Sequence, residues 1–486
     1  MEHKETILEV LNSIISSLDK DDVDLSSHVI SLRGLDSVAF LPCSGDNNVD
    51  QLAELEDLEK AYIQLGKSLY NYGAVKWFKG REDTDFVSDD FQGTAKRAEF
   101  ALCVFQLLMQ KLCSGHGATN YPDVYKRVTR TLCKYWMLLI AEHSNEQFMW
   151  SNSAAKEAAT KSVECLCELF SGTTEEILIN PKKHFSGGLL TPIFKEIRPL
   201  LSKECWKQNP SLKHVYYWLL TNVKSPHVGE HLDLLFPPPL MFLDHHQVEN
   251  KVIGVKCLRH ILSETSSSEI QWYGRSDVMY QVLQHQLYQH EPELLQEVLP
   301  CLHALLKITE LSPSNQKITE EDRFDEIMPR LLSDMETETR IVVRREYTKH
   351  LGQYVESLGI RNVKYYKRLL RVISSYLEVY DGPEEVTRLN ILDCLVVVIK
   401  VTWPRVPSHC SEICKMVIRL LWDVGTDNSL TPISVKDDLF RKVESCLTWT
   451  RRAASQQTDE IVTSILQIES IPAQVQKSLN GILVTT

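Results

Sequence analysis

The sequence predicts an all-α protein built as a helical-repeat solenoid, and three observations lead to that prediction. Apolar residues recur at helical spacing in nearly every long segment, as in residues 53–72, where they fall at i, i+3, i+4 and i+7. We find no convincing run of alternating apolar and polar residues joined by hairpin turns. The 486 residues also exceed what one hydrophobic core usually holds, yet no linker rich in Pro, Gly or Ser divides them.

Four regions are expected along the chain. Residues 1–50 form an N-terminal amphipathic helix and a mobile acidic loop, and residues 51–230 form an irregular helical-repeat half. Residues 231–453 hold the more regular repeats, and residues 454–486 hold a C-terminal helix and tail. Charged residues interrupt the first helix, which distinguishes it from a secretory signal. No apolar run is long enough for a membrane span, so we expect a cytosolic or nuclear protein.

A repeat is visible in the third region. Lys251, Arg340 and Arg388 each begin a segment with apolar residues at +1, +4, +7 and +11, although the second copy has Arg344 at +4. A weaker copy begins at Glu293, and the four starts are 42, 47 and 48 residues apart. This period is close to the roughly 40–47 residues of two-helix solenoid repeats. Each such unit buries its apolar face by stacking on its neighbours.

An acidic residue stands seven positions before two of these repeat starts. Asp244 is followed three residues later by Gln247, and Asp381 by Glu384. Both pairs are variants of the capping box, in which the acid accepts a hydrogen bond from a free amide at the helix N-terminus. Pro383 also fits the first turn of the second helix, where its missing N–H costs little.

The stretch Asp244-His245-His246 has two interpretations. An acid and two imidazoles are standard ligands of a divalent metal, as in a metal-dependent phosphoesterase, but that enzyme needs an α/β fold and further carboxylates. In the other interpretation Asp244 caps a helix, and the two histidines occupy its first turn and diverge by about 100°. The prolines 237–239 then begin or kink the preceding helix. We favour the second interpretation and expect no metal.

The sequence predicts no enzyme and no cofactor. No phosphate-binding glycine loop or nucleophile-elbow motif is present. The thirteen cysteines include no C-x-x-C pair, which is typical of a reducing compartment. Cys410 and Cys414 can share a helix face, but no second pair completes a zinc tetrahedron.

One basic stretch is a candidate for binding a partner. Its cations are Lys364, Lys367, Arg368 and Arg371. Helical spacing places them on one face, interleaved with Tyr365 and Tyr366, so the stretch is either an ordinary solvated face or a surface for an acidic partner. The net charge of −12 argues against nucleic acid.

Tryptophans near the C-terminal end are a second group of candidates. Trp403, Trp422 and Trp449 lie within apolar helical patterns, and a core position is the favoured interpretation for each. Tryptophan is also enriched among the residues that anchor protein interfaces, so a binding role is the alternative.

An apolar helix, an acidic turn and a second helix that opens on Lys or Arg together resemble the HEAT repeat, over residues 232–452. The stretch from Phe236 to Leu262 is more specific, because it resembles the characteristic segment of the TELO-two-interacting protein two family. The residues that carry this resemblance are Pro238, Asp244, Lys251, Gly254, Leu258 and His260.

The resemblance implies a non-enzymatic scaffold. That family provides the smallest subunit of the Triple-T (TTT) co-chaperone complex, whose other members are the Tel-two protein and a much larger HEAT-repeat subunit. It implies a role in the maturation and stability of phosphatidylinositol-3-kinase-related kinases, together with the ninety-kilodalton heat-shock chaperone machinery, in cytoplasm and nucleus. The alternative is an armadillo- or HEAT-type transport adaptor for peptide cargo, which would need a ladder of Asn or Trp that we do not see.

Overall fold

A computed structural model describes residues 6–18, 26–41, 49–81, 85–115, 122–181, 185, 187–311, 322–427 and 431–484. Over these ranges the chain forms twenty-four α-helices joined by turns and short 3-10 segments, with no strand, which confirms the predicted fold class. Among the described residues, no helix is both long enough and apolar enough to span a bilayer.

The chain forms two compact units by packing. The first comprises residues 1–244 with 263–265, and the second comprises residues 245–262 with 266–486, so the division follows Asp244. The helices that begin in the first unit are α1 (Ile7–Leu18), α2 (Ser26–Gly34), α3 (Val49–Gly73), α4 (Thr94–Gly115), α5 (Pro122–Glu142), α6 (Ser153–Phe170), α7 (Thr174–Ile179), α8 (Leu190–Ile197), α9 (Leu212–Thr221), α10 (His227–Glu230), α11 (Leu232–Leu235) and α12 (Pro237–Leu243).

The helices that begin in the second unit are α13 (Val248–Glu264), α14 (Ser267–Gln271), α15 (Arg275–Gln286), α16 (Pro292–Glu310), α17 (Arg323–Thr337), α18 (Ile341–Leu358), α19 (Tyr366–Leu377), α20 (Val386–Val401), α21 (Val406–Thr426), α22 (Ile433–Ala453), α23 (Ser455–Leu466) and α24 (Ala473–Val484). The C-terminal region thus holds two helices, where one helix and a tail were expected.

Helix α2 lies within the stretch expected to be a mobile loop. The rest of that predicted loop includes residues 19–25 and 42–48, which lie outside the described residues.

In the first unit, α3 packs against α1, α4 and α5, and α4 also packs against α6. Close approach of α3 to its neighbours depends on a small residue, because a Cβ at Gly73 would lie 3.0 Å from the Ala98 Cα. The rings of Phe105 and Trp136 stack in this core, with centroids 6.3 Å apart.

In the second unit the helices form two layers. Helices α16, α18, α20, α22 and α24 pack in succession in one layer, and α17, α19, α21 and α23 pack in the other. Each helix of one layer is followed in the chain by a helix of the other. This arrangement is the two-helix repeat that the sequence predicted, since every helix buries its apolar face against its neighbours.

The register of the predicted repeat was wrong in two of the four copies. Lys251, Arg344 and Arg388 are each 6% exposed and are each followed by buried residues at +3, +4, +7, +10 and +11. Leu295 of α16 occupies the same position in its copy. The equivalent residues are therefore Arg344 and Leu295, where the sequence analysis placed Arg340 and Glu293.

The sequence analysis placed the start of this copy at Arg340, but Arg340 lies outside its helix. It precedes the first turn of α18, which is solvent-exposed: Ile341 is 41% exposed and Val342 is 59% exposed. Tyr347 and Leu351, matched to Arg340 at +7 and +11, are buried at +3 and +7 from Arg344. Arg344 looked like a charged residue at an apolar position, four residues after Arg340. It is instead the buried cation that begins this copy of the repeat.

Candidate interaction surfaces

The turn between α12 and α13 differs from the predicted capping box. Asp244 ends α12, donating its backbone N–H to the Leu240 carbonyl at 3.2 Å, and does not cap α13. Its carboxylate is exposed and lies 3.5 Å from Lys203 Nζ. His245 turns inward and is buried, and its Nδ1 accepts a hydrogen bond from the Gln247 backbone N–H at 3.3 Å. The prediction was wrong because the Asp244 carboxylate pairs with Lys203, and the His245 ring accepts the amide just before α13 in its place.

The two histidines do not diverge as predicted, because both precede the helix. The His245 and His246 ring centroids are 4.2 Å apart. The Asn250 side-chain nitrogen lies 2.9 Å from His245 Nδ1, and the Asp244 carboxylate is paired with Lys203. Within the described ranges, no three His, Cys, Asp or Glu side chains are grouped as a metal site requires.

Most residues that carry the family resemblance are interior residues of helices. Pro238 lies in the proline-led first turn of α12, as predicted for residues 237–239, and is buried. Lys251, Gly254 and Leu258 are buried in α13, and His260 is half-buried. The buried members of this set therefore serve packing between helices, and only Asp244 is mainly exposed.

The second predicted cap is present in altered form. Asp381 is 2% exposed, and its Oδ2 accepts the Thr387 backbone N–H at 2.6 Å in the first turn of α20. Glu384 does not reach back to the cap but lies 3.1 Å from Arg345 Nη1. Pro383 lies in the turn before α20 begins at Val386, so its placement in the first helical turn was wrong.

Two of the four cations of the basic stretch form ion pairs within the chain. Lys364 belongs to the 3-10 segment before α19, so it does not share a helix face with the other three cations, contrary to prediction, and its Nζ lies 3.3 Å from Asp325. Arg368 forms a two-pronged pair with Glu336 at 2.9 and 2.8 Å. Lys367 and Arg371 are exposed.

The tyrosines of this stretch face inward and are not arranged to stack on nucleic-acid bases. Tyr366 is 3% exposed. The Tyr365 hydroxyl donates to Asp325 Oδ1 at 2.8 Å, which ties this ring to α17.

None of the three tryptophans is a core residue, so the favoured interpretation of them was wrong. Trp403 is 64% exposed in the 3-10 turn after α20. Trp422 and Trp449 are half-buried. Lys400 Nζ lies 4.4 Å from the Trp449 ring centroid, and the Arg452 guanidinium lies 4.5 Å from it. Two exposed cations therefore lie against the Trp449 ring.

Two buried thiols lie together as predicted. The Cys410 and Cys414 Sγ atoms are 3.9 Å apart on one face of α21, and Cys410 Sγ lies 3.4 Å from the Thr458 hydroxyl on α23. These contacts join α21 to α23, the next helix of the same layer.

Sequence analysis missed the most exposed aromatic pair of the second unit. Trp272 is 67% exposed and Tyr273 is 86% exposed, with ring centroids 6.0 Å apart; we call them the Trp272–Tyr273 pair. Tyr273 has φ 55° and ψ 24°, and the next residue, Gly274, has φ 67°. The left-handed conformation costs a non-glycine residue roughly 1–2 kcal/mol. The only signal in the sequence was a glycine directly after two aromatic residues.

A cavity of about 880 Å³ adjoins this pair in the chain, since Gln271 and Ser276 line it on either side of the pair. Its carboxylates are Asp277, Glu310, Asp322, Asp325 and Glu326, and its cations are Arg323 and Lys364. We call it the acidic cavity. Burial would raise the pKa of Asp325, but hydrogen bonds from Tyr365, the Asp322 amide and Lys364 outweigh burial and hold that pKa below its ordinary value.

A buried acid lies in the first unit. Glu142 is fully buried, and its Oε1 accepts hydrogen bonds from the Val75 backbone N–H at 3.1 Å and from the Ser211 hydroxyl. Burial raises the pKa of Glu142 to about 7, although these two hydrogen bonds lower it. The neighbouring His143 is also buried, and burial lowers its pKa to about 4. This cluster stabilises the fold, and its contribution to the free energy of unfolding depends on pH.

The fold defines the class as an all-α helical-repeat protein, and comparison with known proteins defines the family. The model of the Tti2 family matches residues 136–383. The human protein named TELO2-interacting protein 2 is 32% identical over 417 residues, covering 85% of this chain and 81% of the human one. The mouse protein of that name is 33% identical over 355 residues, covering 72% and 69%. The chain belongs to the Tti2 family, which confirms the resemblance seen in the sequence.

Among solved structures, the karyopherin Kap121p bound to the SUMO protease Ulp1p is similar with a TM-score of 0.46 and 12% identity. The similarity covers 94% of this chain and 47% of the karyopherin.

Proposed function

We propose that the chain is the non-enzymatic scaffold subunit of the TTT co-chaperone complex and binds the Tel-two protein and the large HEAT-repeat subunit. The observation that carries the proposal is the family match, because its human member is named for interaction with TELO2 and is similar over 85% of this chain. Through the complex, the chain supports maturation and stability of phosphatidylinositol-3-kinase-related kinases, in the cytoplasm and nucleus.

The surface of the second unit supports a role in binding proteins. Large apolar side chains stand exposed at turns between consecutive helices, where most of their surface is open to solvent. They are Trp272 (67%), Tyr273 (86%), Ile360 (56%) and Trp403 (64%). Such residues are characteristic of interface anchors. Lys367 and Arg371 are two further exposed candidates.

The alternatives have less support. A metal-dependent phosphoesterase would use Asp244, His245 and His246 together, whereas the Asp244 carboxylate is paired with Lys203 and His245 Nδ1 is bonded to the turn. A transport adaptor for peptide cargo is not favoured by the family to which the chain belongs.

Co-expression with the two proposed partners tests the assignment. We expect the purified chain to co-elute with the large subunit and with Tel-two on size exclusion. A mixture of the chain with a small GTPase, the partner expected of a transport receptor, serves as the control and should elute as separate proteins. A chain that elutes alone after co-expression with both partners would contradict the proposal.

A further inference from the structure

We propose that the Trp272–Tyr273 pair and the acidic cavity together bind a positively charged segment of one of the chain's partner proteins. The inference rests on the proposed function for its partners, and it adds the surface and the chemistry of the contact. The whole surface lies in the second unit, on α14 and α15 and on the ends of α16, α17 and α19.

The first argument is the aromatic surface. Trp272 and Tyr273 are neighbours in the chain, and both side chains are more exposed than buried. Two consecutive residues, Tyr273 and Gly274, hold the left-handed backbone conformation that turns the segment here. Tryptophan and tyrosine contribute more binding energy at interfaces than most other residues when a partner removes them from water. An exposed pair of this kind is therefore a natural anchor for a partner.

The second argument is the charge beside the pair. Arg323 pairs with Asp277 at 2.5 Å and approaches Glu310 at 3.8 Å. Lys364 pairs with Asp325 at 3.3 Å. One more cation, Arg361, reaches Asp322 at 2.5 Å from outside the lining. Three cations thus face five carboxylates.

Among the residues that the structure describes, Glu326 is the one of these five carboxylates that forms no ion pair. Its oxygens accept hydrogen bonds from two neutral donors, the Tyr280 hydroxyl at 2.6 Å and the Gln284 amide at 2.5 Å. The cavity is therefore left with excess negative charge, which attracts an arginine or lysine.

Charge complementarity identifies the occupant as a basic protein segment. A second copy of this chain would bring its own net charge of −12 against a negative surface, and a nucleic acid would bring phosphates, so both are repelled. A guanidinium would also gain from the aromatic faces, as Arg275 already does 5.2 Å from the Tyr273 centroid. We infer a segment with arginine or lysine beside apolar residues.

Two double variants test the inference in the full chain. One is Trp272→Ala with Tyr273→Ala, and the other is Asp277→Asn with Glu326→Gln. The control is Tyr288→Ala, which removes an aromatic side chain that is 58% exposed just beyond the opposite end of α15. Binding to the purified pair of Tel-two and the large subunit is measured by biolayer interferometry at low and high salt.

The aromatic variant should bind at least tenfold more weakly, and the carboxylate variant should bind several-fold more weakly with a flatter dependence on salt. The control should bind as wild type does, and circular dichroism should show equal helicity in all four proteins. Carbodiimide cross-linking of the wild-type complex should join Asp277, Glu310 or Glu326 to partner lysines. Wild-type affinity in both variants, with no such cross-link, overturns the inference alone. Failure of the wild type to bind overturns the proposed function as well.

Discussion

Arg345 on α18 and Asp381 in the turn before α20 join two successive repeats of the second unit. The guanidinium donates through Nε to both carboxylate oxygens, at 3.0 and 3.2 Å, and through Nη2 to the Asp381 carbonyl at 2.8 Å. The same carboxylate accepts the Thr387 amide and so caps α20. One buried acid therefore sets both the start of α20 and its position against α18.

We predict that Asp381→Ala lowers the free energy of unfolding by about 2–4 kcal/mol. The change removes a helix cap and leaves the partly buried Arg345 without its main partner. Urea denaturation followed by circular dichroism measures the effect. Asp244→Ala is the matched control, because Asp244 forms only an exposed pair with Lys203, and it should change the free energy of unfolding by less than about 0.5 kcal/mol. Equal losses in the two variants would contradict the assignment of the caps.

The corrected register of the repeat predicts different costs for two arginines four residues apart. Arg344 is buried, donates to the Ser375 carbonyl at 3.2 Å and lies 3.8 Å from the Tyr376 ring centroid. Arg344→Ala should therefore cost about 2–4 kcal/mol, through lost packing and hydrogen bonding.

Arg340→Ala is the comparison variant, because its guanidinium is mainly exposed and pairs with Glu338 in the turn. It should cost about 1 kcal/mol or less. Thermal and urea unfolding of both variants decide the point, and a larger loss at Arg340 would restore the register inferred from sequence.

Glu142 predicts a pH dependence of stability. Its pKa is about 7 in the folded chain, against 4.5 for an ordinary glutamate. The folded protein therefore holds this proton more tightly than the unfolded chain does, so the stabilising contribution is complete below pH 4.5 and is lost as the pH rises to about 7. The loss amounts to about 3 kcal/mol.

The comparison of wild type with Glu142→Gln isolates this effect. Burial lowers the pKa of His143 to about 4 and that of His214 to about 3, so both histidines act in the opposite direction below pH 6.5, but they are present in both proteins. Unfolding free energies measured from pH 5 to 8 should fall for wild type relative to the variant. Parallel curves would show that Glu142 does not titrate with folding.

Tyr273 predicts a gain in stability on substitution. Its side chain is 86% exposed, so little packing is lost, and glycine adopts the left-handed conformation without strain. We expect Tyr273→Gly to raise the free energy of unfolding by about 0.5–1 kcal/mol in thermal and urea unfolding. A clear loss of stability would mean that the ring supports the fold and is not reserved for a partner.

The helical class was predictable because each helix buries one face, and burial leaves a period of three to four residues in the sequence. The repeat was predictable for the same reason, since stacked units share one burial pattern. Its register was not, because Arg340 and Arg344 are both cations near the start of α18, and sequence does not tell which one the packing buries. The helix boundary decides it, and tertiary contacts set that boundary.

The turns show the same limit. Asp244 and Asp381 stand at the same distance from a repeat start, yet only Asp381 caps the following helix. The Asp381 carboxylate is buried and accepts the Thr387 amide, whereas the Asp244 carboxylate is exposed and pairs with Lys203. The Trp272–Tyr273 pair was missed because its exposure depends on a local left-handed turn, and no periodic pattern records that conformation.

Isolation of the tagged chain from its own cells tests the central claim most directly. Quantitative mass spectrometry should find both the Tel-two protein and the large HEAT-repeat subunit enriched in amounts comparable to the chain itself. The aromatic double variant Trp272→Ala, Tyr273→Ala should recover less of them. If neither protein is enriched with the wild-type chain above an untagged control, this chain is not a scaffold subunit of that complex.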